Sequence, residues 1–330
     1  MIFERPRRNR SSESVRGLVR ETSLTVDHLI YPLFVQDGDG LKEPIESLPG
    51  NYKWSTDLLI PEIEECVKLG LNSFVLFPKV LPENKDKEGT YSISSNNFYL
   101  ECARKVKERF PDITLISDVA LDPYSIDGHD GVVVDGRVDN EKTLPLLAQM
   151  SVHQAQAGFD ILGPSDMMDG RVGFIRKALD HAGFEGTGIM SYTAKYASGL
   201  YGPFRDALDS APVSDPSVPK NKKTYQMDPA NRMEALREAR LDVIEGADFL
   251  MVKPALHYLD IIRELSSSFD VPIAAYHVSG ECAMLMAAVQ KGWLDFDLVM
   301  PETLLSIRRA GATAILTYFA KDYARLANSK

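Results

Sequence analysis

The sequence has few cysteines and no long apolar run. Its three cysteines (Cys66, Cys102 and Cys282) lie far apart, and none belongs to a CxxC pair or to a paired Cys/His spacing. These features exclude a disulfide framework and a structural zinc module, and we expect a reducing, cytoplasmic location. No stretch approaches 18 consecutive apolar residues, so we expect no membrane partner. The basic first residues lack the apolar region of a secretory signal.

The sequence also has fewer basic than acidic residues. The 330 residues include 37 Lys plus Arg against 47 Asp plus Glu, a net charge of −10. Because binding to a phosphate backbone needs a basic face, we expect no nucleic-acid partner. Residues 1–20 are the exception, since six arginines and two glutamates give them +4 and leave −14 on the rest. Residues 1–25 are therefore interpreted as an arm that contacts another subunit, or alternatively as a solvated tail.

Glycine-rich nucleotide-binding motifs are missing, whereas short apolar runs separated by helical patterns recur along the chain. Buried parallel strands have this near-continuous apolar character. Eight such runs predict an α/β protein of the (β/α)₈ TIM-barrel class over residues 26–330. The alternative is a doubly wound open sheet, but no GxGxxG follows the first run and no Walker motif is present. The runs are Leu29–Val35, Asn72–Pro78, Thr114–Val119, Phe159–Pro164, Gly188–Tyr192, Ala247–Lys253, Pro272–Val278 and Ala312–Tyr318.

The connection between the fifth and sixth runs is unusually long. Residues 200–229 are rich in proline and serine and show little periodicity. A loop of this length inside a compact domain is usually functional, so we predict an active-site lid over residues 196–229. The alternative is a tolerated surface insertion. Arg205 and Lys222, which lie among aromatic residues, favour the lid.

Barrel enzymes carry their chemistry where the strands end, and two lysines stand there. Lys253 closes the sixth run directly after apolar residues, and Lys195 lies just past the fifth. Burial lowers the pKa of a lysine, and a neutral amine attacks carbonyls to form a Schiff base. The alternative for Lys253 is an amine that extends to solvent. Asp118, Asp122, Ser165 and Asp166 follow the third and fourth runs.

Several segments taken together resemble one enzyme family, porphobilinogen synthase (5-aminolevulinate dehydratase). They are GPSDMMDGR, YTAKYAS, YGPFRDA, TYQMDPAN, MVKPA and YHVSGE, and the resemblance extends over nearly the whole chain. The resemblance implies a lyase of tetrapyrrole (heme and chlorophyll) biosynthesis. Such an enzyme condenses two 5-aminolevulinate molecules to porphobilinogen with loss of two waters. It also implies a homo-oligomer, which is an octamer in this family.

The resemblance assigns roles to individual residues. Lys195 and Lys253 would each form a Schiff base with one substrate. Arg205 and Lys222 would bind the carboxylate of one substrate, with Lys223 as an alternative to Lys222. Ser279 and Tyr318 would bind the carboxylate of the other. The proton-abstracting base stays open among Asp118, Asp122 and a lysine.

The metal content implied by the resemblance differs from that of zinc-type members. Their three cysteines correspond here to Ala120, Asp122 and Asp130. Carboxylates suit hard cations rather than zinc, so we expect a magnesium-type enzyme without catalytic zinc. Asp122 and Asp130 would bind a cation, a water or the substrate amine, and His129 between them is interpreted as a loop histidine. The resemblance also implies an allosteric Mg²⁺ at Glu238.

Two other functions remain to be compared with this one. A class I aldolase-type barrel would need only one Schiff-base lysine. Such barrels often bind phosphate after strands 7 and 8, where no glycine-rich cradle is seen here. A non-enzymatic oligomeric scaffold would carry its lysines in surface ion pairs.

Overall fold

The computed structural model describes residues 3–329, and eight parallel strands form its centre. Four shorter strands lie outside the barrel, at Lys42–Pro44, Tyr52–Trp54, Val133–Val134 and Arg137–Val138. The barrel strands are β1 (Leu29–Gln36), β2 (Ser73–Lys79), β3 (Thr114–Ile116), β4 (Ile161–Leu162), β5 (Gly188–Lys195), β6 (Phe249–Lys253), β7 (Ile273–His277) and β8 (Ala314–Thr317).

The sheet closes on itself, because β1 pairs with β2 on one side and with β8 on the other. Leu29 stands opposite Ile315 in this closing pair. All eight residues of β1 are buried, as expected for a parallel strand that is covered on both faces. The predicted (β/α)₈ barrel is therefore confirmed.

Helices connect successive strands and pack against the outside of the barrel. Short 3₁₀ helices occupy Pro6–Arg10, Val26–His28, Pro82–Asn84, Thr90–Ile93, Gly199–Tyr201 and Leu256–Tyr258. None of the helices within residues 3–329 is both long and apolar enough to cross a membrane. The α-helices are Glu13–Leu18, Thr56–Lys68, Phe98–Arg109, Asn140–Gln156, Arg171–His181, Gly202–Leu208, Met233–Glu245, Leu259–Ser268, Ser279–Gln290, Phe296–Ala310 and Ala320–Asn328.

Two strand lengths differ from the predicted runs in ways that affect the site. β5 is three residues longer than predicted, so Lys195 is its last residue rather than a loop residue. The polar and small residues that precede Lys195 hide this extension in the sequence. β4 is only two residues long. Beyond it the chain stays close to β3, because Gly163 has no Cβ to meet the backbone oxygen of Ser117.

The N-terminal segment stands apart from this core. Residues 3–25 include no buried residue, and their first helical turns expose the arginines. The segment joins the barrel near its end, where the Tyr323 hydroxyl donates a hydrogen bond to the backbone oxygen of Leu24 at 2.8 Å. Residues 1 and 2 of the predicted arm lie outside the described residues.

Candidate active site

Lys195 and Lys253 are direct neighbours at the carboxyl end of the barrel. They terminate β5 and β6, and the register of the two strands places them opposite each other. Both side chains are buried, with 6% and 5% of their surface exposed. The structure therefore brings the two lysines together in one pocket, as their positions in the sequence predicted.

Lys253 lies in aromatic surroundings. Its Nζ is 4.6 Å from the ring centre of Tyr276, and the rings of Tyr192, Tyr201 and Phe204 lie 5.0–5.2 Å away. Burial, and after it the Lys195 ammonium group, lowers the pKa of Lys253 to about 7. A substantial fraction of this amine is therefore neutral at neutral pH, as attack on a carbonyl requires.

Lys195 lies in polar surroundings instead. Its Nζ is 3.0 Å from the Asp130 carboxylate and also donates to the backbone oxygen of Ser165. Burial by itself raises the pKa of Asp130, but the Lys195 and Lys222 ammonium groups outweigh burial and bring that pKa below its usual range. Lys195 thus belongs to a buried ionic network.

Lys222 completes this network and is distinguished from its neighbour Lys223. The Lys222 ammonium group donates to Asp130 at 2.6 Å and to Asp122 at 3.1 Å, whereas Lys223 is exposed. Burial opposes the charged form of Lys222, yet the two carboxylates raise its pKa overall. Of the two lysines that the sequence left as alternatives, Lys222 is therefore the one inside the site.

Asp118 is an acidic residue whose pKa is close to that of Lys253. Burial first, and the Asp122 carboxylate second, raise the pKa of Asp118 to about 7. The Ser165 hydroxyl donates to its Oδ1 at 2.7 Å, and Gln154 donates to its backbone oxygen at 2.9 Å. A carboxyl group held in this way exchanges a proton readily near neutral pH.

Ser279 and Tyr318 lie on the Lys253 side of the site. The Tyr318 hydroxyl is 2.8 Å from that of Tyr276, whose ring contacts Lys253. The Ser279 hydroxyl accepts a hydrogen bond from the Phe204 N–H at 3.1 Å. The proton of the Ser279 hydroxyl remains available for an anion.

The space between the two lysines is small. It measures about 20 Å³, enough for about one water molecule. Arg205, Lys222 and Gln226, all from the 196–229 segment, line it together with Tyr201 and Phe204. Residues of this segment therefore lie over the strand ends and leave little space between the lysines.

The comparisons with known proteins agree with this arrangement. A sequence profile of the Delta-aminolevulinic acid dehydratase family matches residues 3–326. This chain belongs to that family. The Delta-aminolevulinic acid dehydratase of Halalkalibacterium halodurans is 49% identical over 330 residues, which cover all of this chain and 98% of the relative. The chloroplastic enzyme of Physcomitrium patens is 52% identical over 96% of this chain and 72% of its own length.

A solved member of the family has the same fold. The delta-aminolevulinic acid dehydratase (porphobilinogen synthase) of Toxoplasma gondii, crystallised with its reaction product porphobilinogen, superimposes with a TM-score of 0.95. The two proteins are 48% identical, and the match covers 98% of this chain and 91% of that one. Family membership favours porphobilinogen formation over the aldolase-type reaction and the non-enzymatic scaffold.

Glu238, the residue that the family resemblance assigns to magnesium, lies away from the lysines. It is half-buried beside a surface cavity of about 550 Å³ that Asp169 and Glu234 also line. Burial raises the pKa of Glu238, and the Asp242 and Asp169 carboxylates add to the shift against the opposing Arg171. The single Glu238 carboxylate beside an open cavity is compatible with an ion that keeps most of its waters, as Mg²⁺ usually does.

The surroundings of Asp122 and Asp130 do not resemble a metal centre. Their carboxylates face two lysine ammonium groups, which already balance their charge. Among residues 3–329, no cluster of three or more His, Cys, Asp or Glu side chains has a metal-binding arrangement. The cysteines are buried elsewhere as free thiols.

Several residues of the site were not identified from the sequence. Tyr201, Phe204 and Gln226 come from the long connection, whose irregular pattern gives no indication of which side chains point inward. Tyr276 lies within β7, three residues before Ser279. From the sequence, an aromatic residue in an apolar strand is interpreted as part of the hydrophobic core. Glu281 accepts hydrogen bonds from the N–H groups of Leu256 and Val278, and so ties the loops after β6 and β7 together.

Proposed function

We propose that this chain is a porphobilinogen synthase, a lyase that condenses two 5-aminolevulinate molecules to porphobilinogen and two waters. The observation that carries the proposal is the pairing of Lys195 with Lys253 at adjacent strand ends. Two amines in one closed space suit a reaction in which two ketones must be activated side by side. Family membership supports the same reaction.

In the proposed mechanism each lysine forms an imine with one substrate ketone and releases one water. The imine withdraws electrons from the neighbouring carbon, which then loses a proton to give an enamine. The enamine carbon of the first substrate attacks the imine carbon of the second. Loss of the remaining proton from the attacking carbon then expels the second substrate's lysine as a free amine and leaves a carbon–carbon double bond. The amino group of the second substrate attacks the imine of the first, expels its lysine and closes the ring, and loss of a proton from the ring CH₂ group gives the aromatic pyrrole. The two waters lost are those of imine formation.

We assign the Lys253 half of the site to the substrate whose carboxylate binds Ser279 and Tyr318. These two hydroxyl groups lie on the same side as Lys253, because Tyr318 reaches it through Tyr276. Hydroxyl donors leave the carboxylate charge balanced by hydrogen bonds alone. The neutral form of Lys253 then attacks the ketone.

We assign the Lys195 half to the substrate whose carboxylate binds Arg205 and Lys222. The amino group of 5-aminolevulinate is attached to the carbon next to the ketone, so it must lie close to the lysine that attacks this ketone. Asp130 lies 3.0 Å from Lys195 and shares Lys222 with Asp122, so these two carboxylates are the ones proposed to accept the ammonium group. The substrate amine would take over part of the role that Lys222 fills in the closed structure.

We infer that Asp118 transfers the proton that the enamine step requires. Its pKa of about 7 matches that of Lys253, and efficient proton transfer occurs between groups whose pKa values lie near the working pH. The Ser165 hydroxyl orients it. Asp122, the other acid considered, is paired with Lys222 and is less suited to the role.

The 196–229 segment is proposed to be the active-site lid. Ligand pockets commonly measure ~300–1,000 Å³, whereas the space between the lysines is about 20 Å³. Two substrate molecules can enter only if this segment moves away. Its return would exclude the water that hydrolyses imines.

We propose that the enzyme is of the magnesium type, with an allosteric Mg²⁺ held by Glu238 and no catalytic zinc. The ion would keep most of its waters, with Asp169 and Glu234 nearby to accept hydrogen bonds from them. It would compensate negative charge at a distance from the reacting amines. Asp122 and Asp130, which stand in the place of the zinc-type cysteines, are instead neutralised by lysines.

We also propose a cytoplasmic homo-oligomer, with an octamer expected from the family resemblance. The arm of residues 1–25 would contact a second subunit, because its exposed arginines complement the acidic remainder of the chain. Deleting residues 1–20 should reduce the sedimentation coefficient of the assembly. An unchanged assembly would remove the arm from the interface.

The central test is to incubate the protein with 5-aminolevulinate, assay porphobilinogen, and reduce a parallel sample with borohydride. Mass spectrometry should then locate adducts on Lys195 and Lys253. The matched control is Lys223, which is exposed and should remain unmodified. Absence of both porphobilinogen and adducts would refute the proposed function.

The metal assignment has a separate test. A zinc-selective chelator should leave porphobilinogen formation unchanged, whereas EDTA should lower it and added Mg²⁺ should restore it. A direct Mg²⁺-binding measurement on the Glu238→Gln variant should show weaker binding. Restoration by zinc alone would contradict the magnesium assignment.

A further inference from the structure

The loop formed by residues 127–130 contacts residues 211–225 of the 196–229 segment. Val213 donates its N–H to the backbone oxygen of Asp127 at 3.3 Å. Gly128 has φ +68° and packs so closely that a Cβ would collide with the backbone oxygen of Ala211. Backbone and side chains of the two segments therefore form one packed interface next to the lysines.

His129 is the central residue of this interface and is completely buried. Its Nε2 lies 2.8 Å from the backbone oxygen of Pro219, and its Nδ1 lies 2.9 Å from the Tyr225 hydroxyl. Since a carbonyl oxygen only accepts, Nε2 carries the proton and Nδ1 accepts from the tyrosine. The Tyr225 oxygen in turn accepts the N–H of Asp130 at 3.3 Å.

These contacts bracket Lys222. The two residues held by His129, Pro219 and Tyr225, stand three positions before and three positions after Lys222 in the chain. Lys222 is buried between exposed neighbours, and its ammonium group reaches Asp130, the residue that follows His129. One imidazole thus holds both ends of the short chain that carries this lysine.

We propose that His129 is a positioning residue that fixes Lys222 beside Lys195 and so builds the carboxylate subsite for one substrate. The inference rests on the proposed function, since the subsite belongs to that reaction. It replaces the interpretation of His129 as an ordinary loop histidine. His129 acts through Lys222 and does not touch the reacting atoms.

The test compares His129→Phe with His129→Gln in the otherwise complete protein. Phenylalanine keeps the ring but removes both hydrogen bonds, whereas the glutamine amide can donate to Pro219 and accept from Tyr225. A misplacement of about 1 Å can reduce activity by ~10²-fold, so we expect a 10–100-fold higher KM in the phenylalanine variant. Its kcat should change by less than about 5-fold, because Lys195 and Lys253 are retained. The glutamine variant should recover most of the KM.

Hydrogen exchange measured by mass spectrometry, without substrate, provides the second readout. Peptides covering residues 211–227 should exchange faster in His129→Phe, while peptides of β1 and β7 stay unchanged. The matched control is His181→Phe, because His181 is an exposed histidine at a helix end. This control should change neither KM nor exchange.

Three outcomes would overturn the proposal. They are an unchanged KM in His129→Phe, equal damage in the phenylalanine and glutamine variants, and faster exchange throughout the barrel. If His129→Phe fails to fold, Tyr225→Phe is tested instead, because it removes one of the two hydrogen bonds of His129. An unchanged KM together with unchanged exchange in that variant would overturn the proposal. Hydrogen exchange is measured without substrate, so it does not depend on the reaction. A wild-type protein that makes no porphobilinogen would refute the proposed function, whereas the exchange result would still test the contacts of His129.

Discussion

Lys195 and Lys253 occupy paired positions on neighbouring strands, yet their surroundings differ. Lys195 donates to a carboxylate and a backbone oxygen, whereas four aromatic rings surround Lys253 without a hydrogen-bond partner for its amine among the described residues. Aromatic rings do not solvate an ammonium group as water does, so the charged form of Lys253 is disfavoured. The two lysines therefore lie on adjacent strands in surroundings of different chemical character.

This difference divides the site into an ionic half and an aromatic half. The ionic half contains two lysines and two aspartates, all buried. The aromatic half holds the hydroxyl groups of Ser279 and Tyr318, which we propose bind the carboxylate of the second substrate. A condensation of two identical molecules needs such asymmetry, because one molecule must act as the nucleophile and the other as the electrophile.

Replacing each lysine by methionine should give the largest effect. Both Lys253→Met and Lys195→Met should lower porphobilinogen formation by about 10³-fold or more, since each removes one imine. Their stabilities should differ, because Lys195→Met leaves the buried Asp130 carboxylate with one partner fewer. Activity assays and urea unfolding measure the two effects. Equal loss of stability in both variants would contradict the division into two halves.

Removal of the Asp118 carboxyl group should have an intermediate effect. Asp118→Asn should lower kcat by about 10²–10³-fold, because the amide cannot accept the proton. The Asp118 carboxylate raises the pKa of Lys253, so its loss should also move the onset of Lys253 labelling to lower pH. Borohydride trapping of a keto acid from pH 5 to 9 gives this onset. Ser165→Ala, which removes only a hydrogen bond, serves as the milder control.

The smallest effect concerns stability as a function of pH. Between pH 7 and 10.5 the unfolded chain binds a proton at Lys253 that the folded chain has lost, so this group's contribution to stability rises with pH. Lys253→Met removes this contribution, so the stability of the variant relative to wild type should be highest at the lower pH. The gain should shrink by on the order of 2 kcal/mol between pH 7 and 9. The opposite contribution of Asp118 follows proton loss from its carboxyl group in the folded chain, which is half complete at pH 7 and complete at about pH 8. Unfolding at the two pH values measures the difference, and a constant gain would show that Lys253 keeps an ordinary pKa.

Much of the fold was predictable because parallel strands that are buried on both faces leave a strong apolar pattern. All eight runs became barrel strands, and both lysines were placed near the correct ends. The exact end of β5 was missed, because its last residues are small or polar. Lys222 could not be separated from Lys223, since adjacent residues in an irregular segment give no periodic signal.

The sequence by itself determined the eight strands, the two strand-end lysines and the family to which the chain belongs, because these depend on local pattern and residue identity. The tertiary structure alone decided that the pKa of Lys253 is lowered, which lysine of the pair at 222 and 223 faces inward, and what His129 contacts. Each of these depends on groups brought together from distant parts of the chain: Lys253 among four rings, Lys222 on Asp130 and His129 between Pro219 and Tyr225. Burial and charge act through space, so they follow the fold rather than the order of residues.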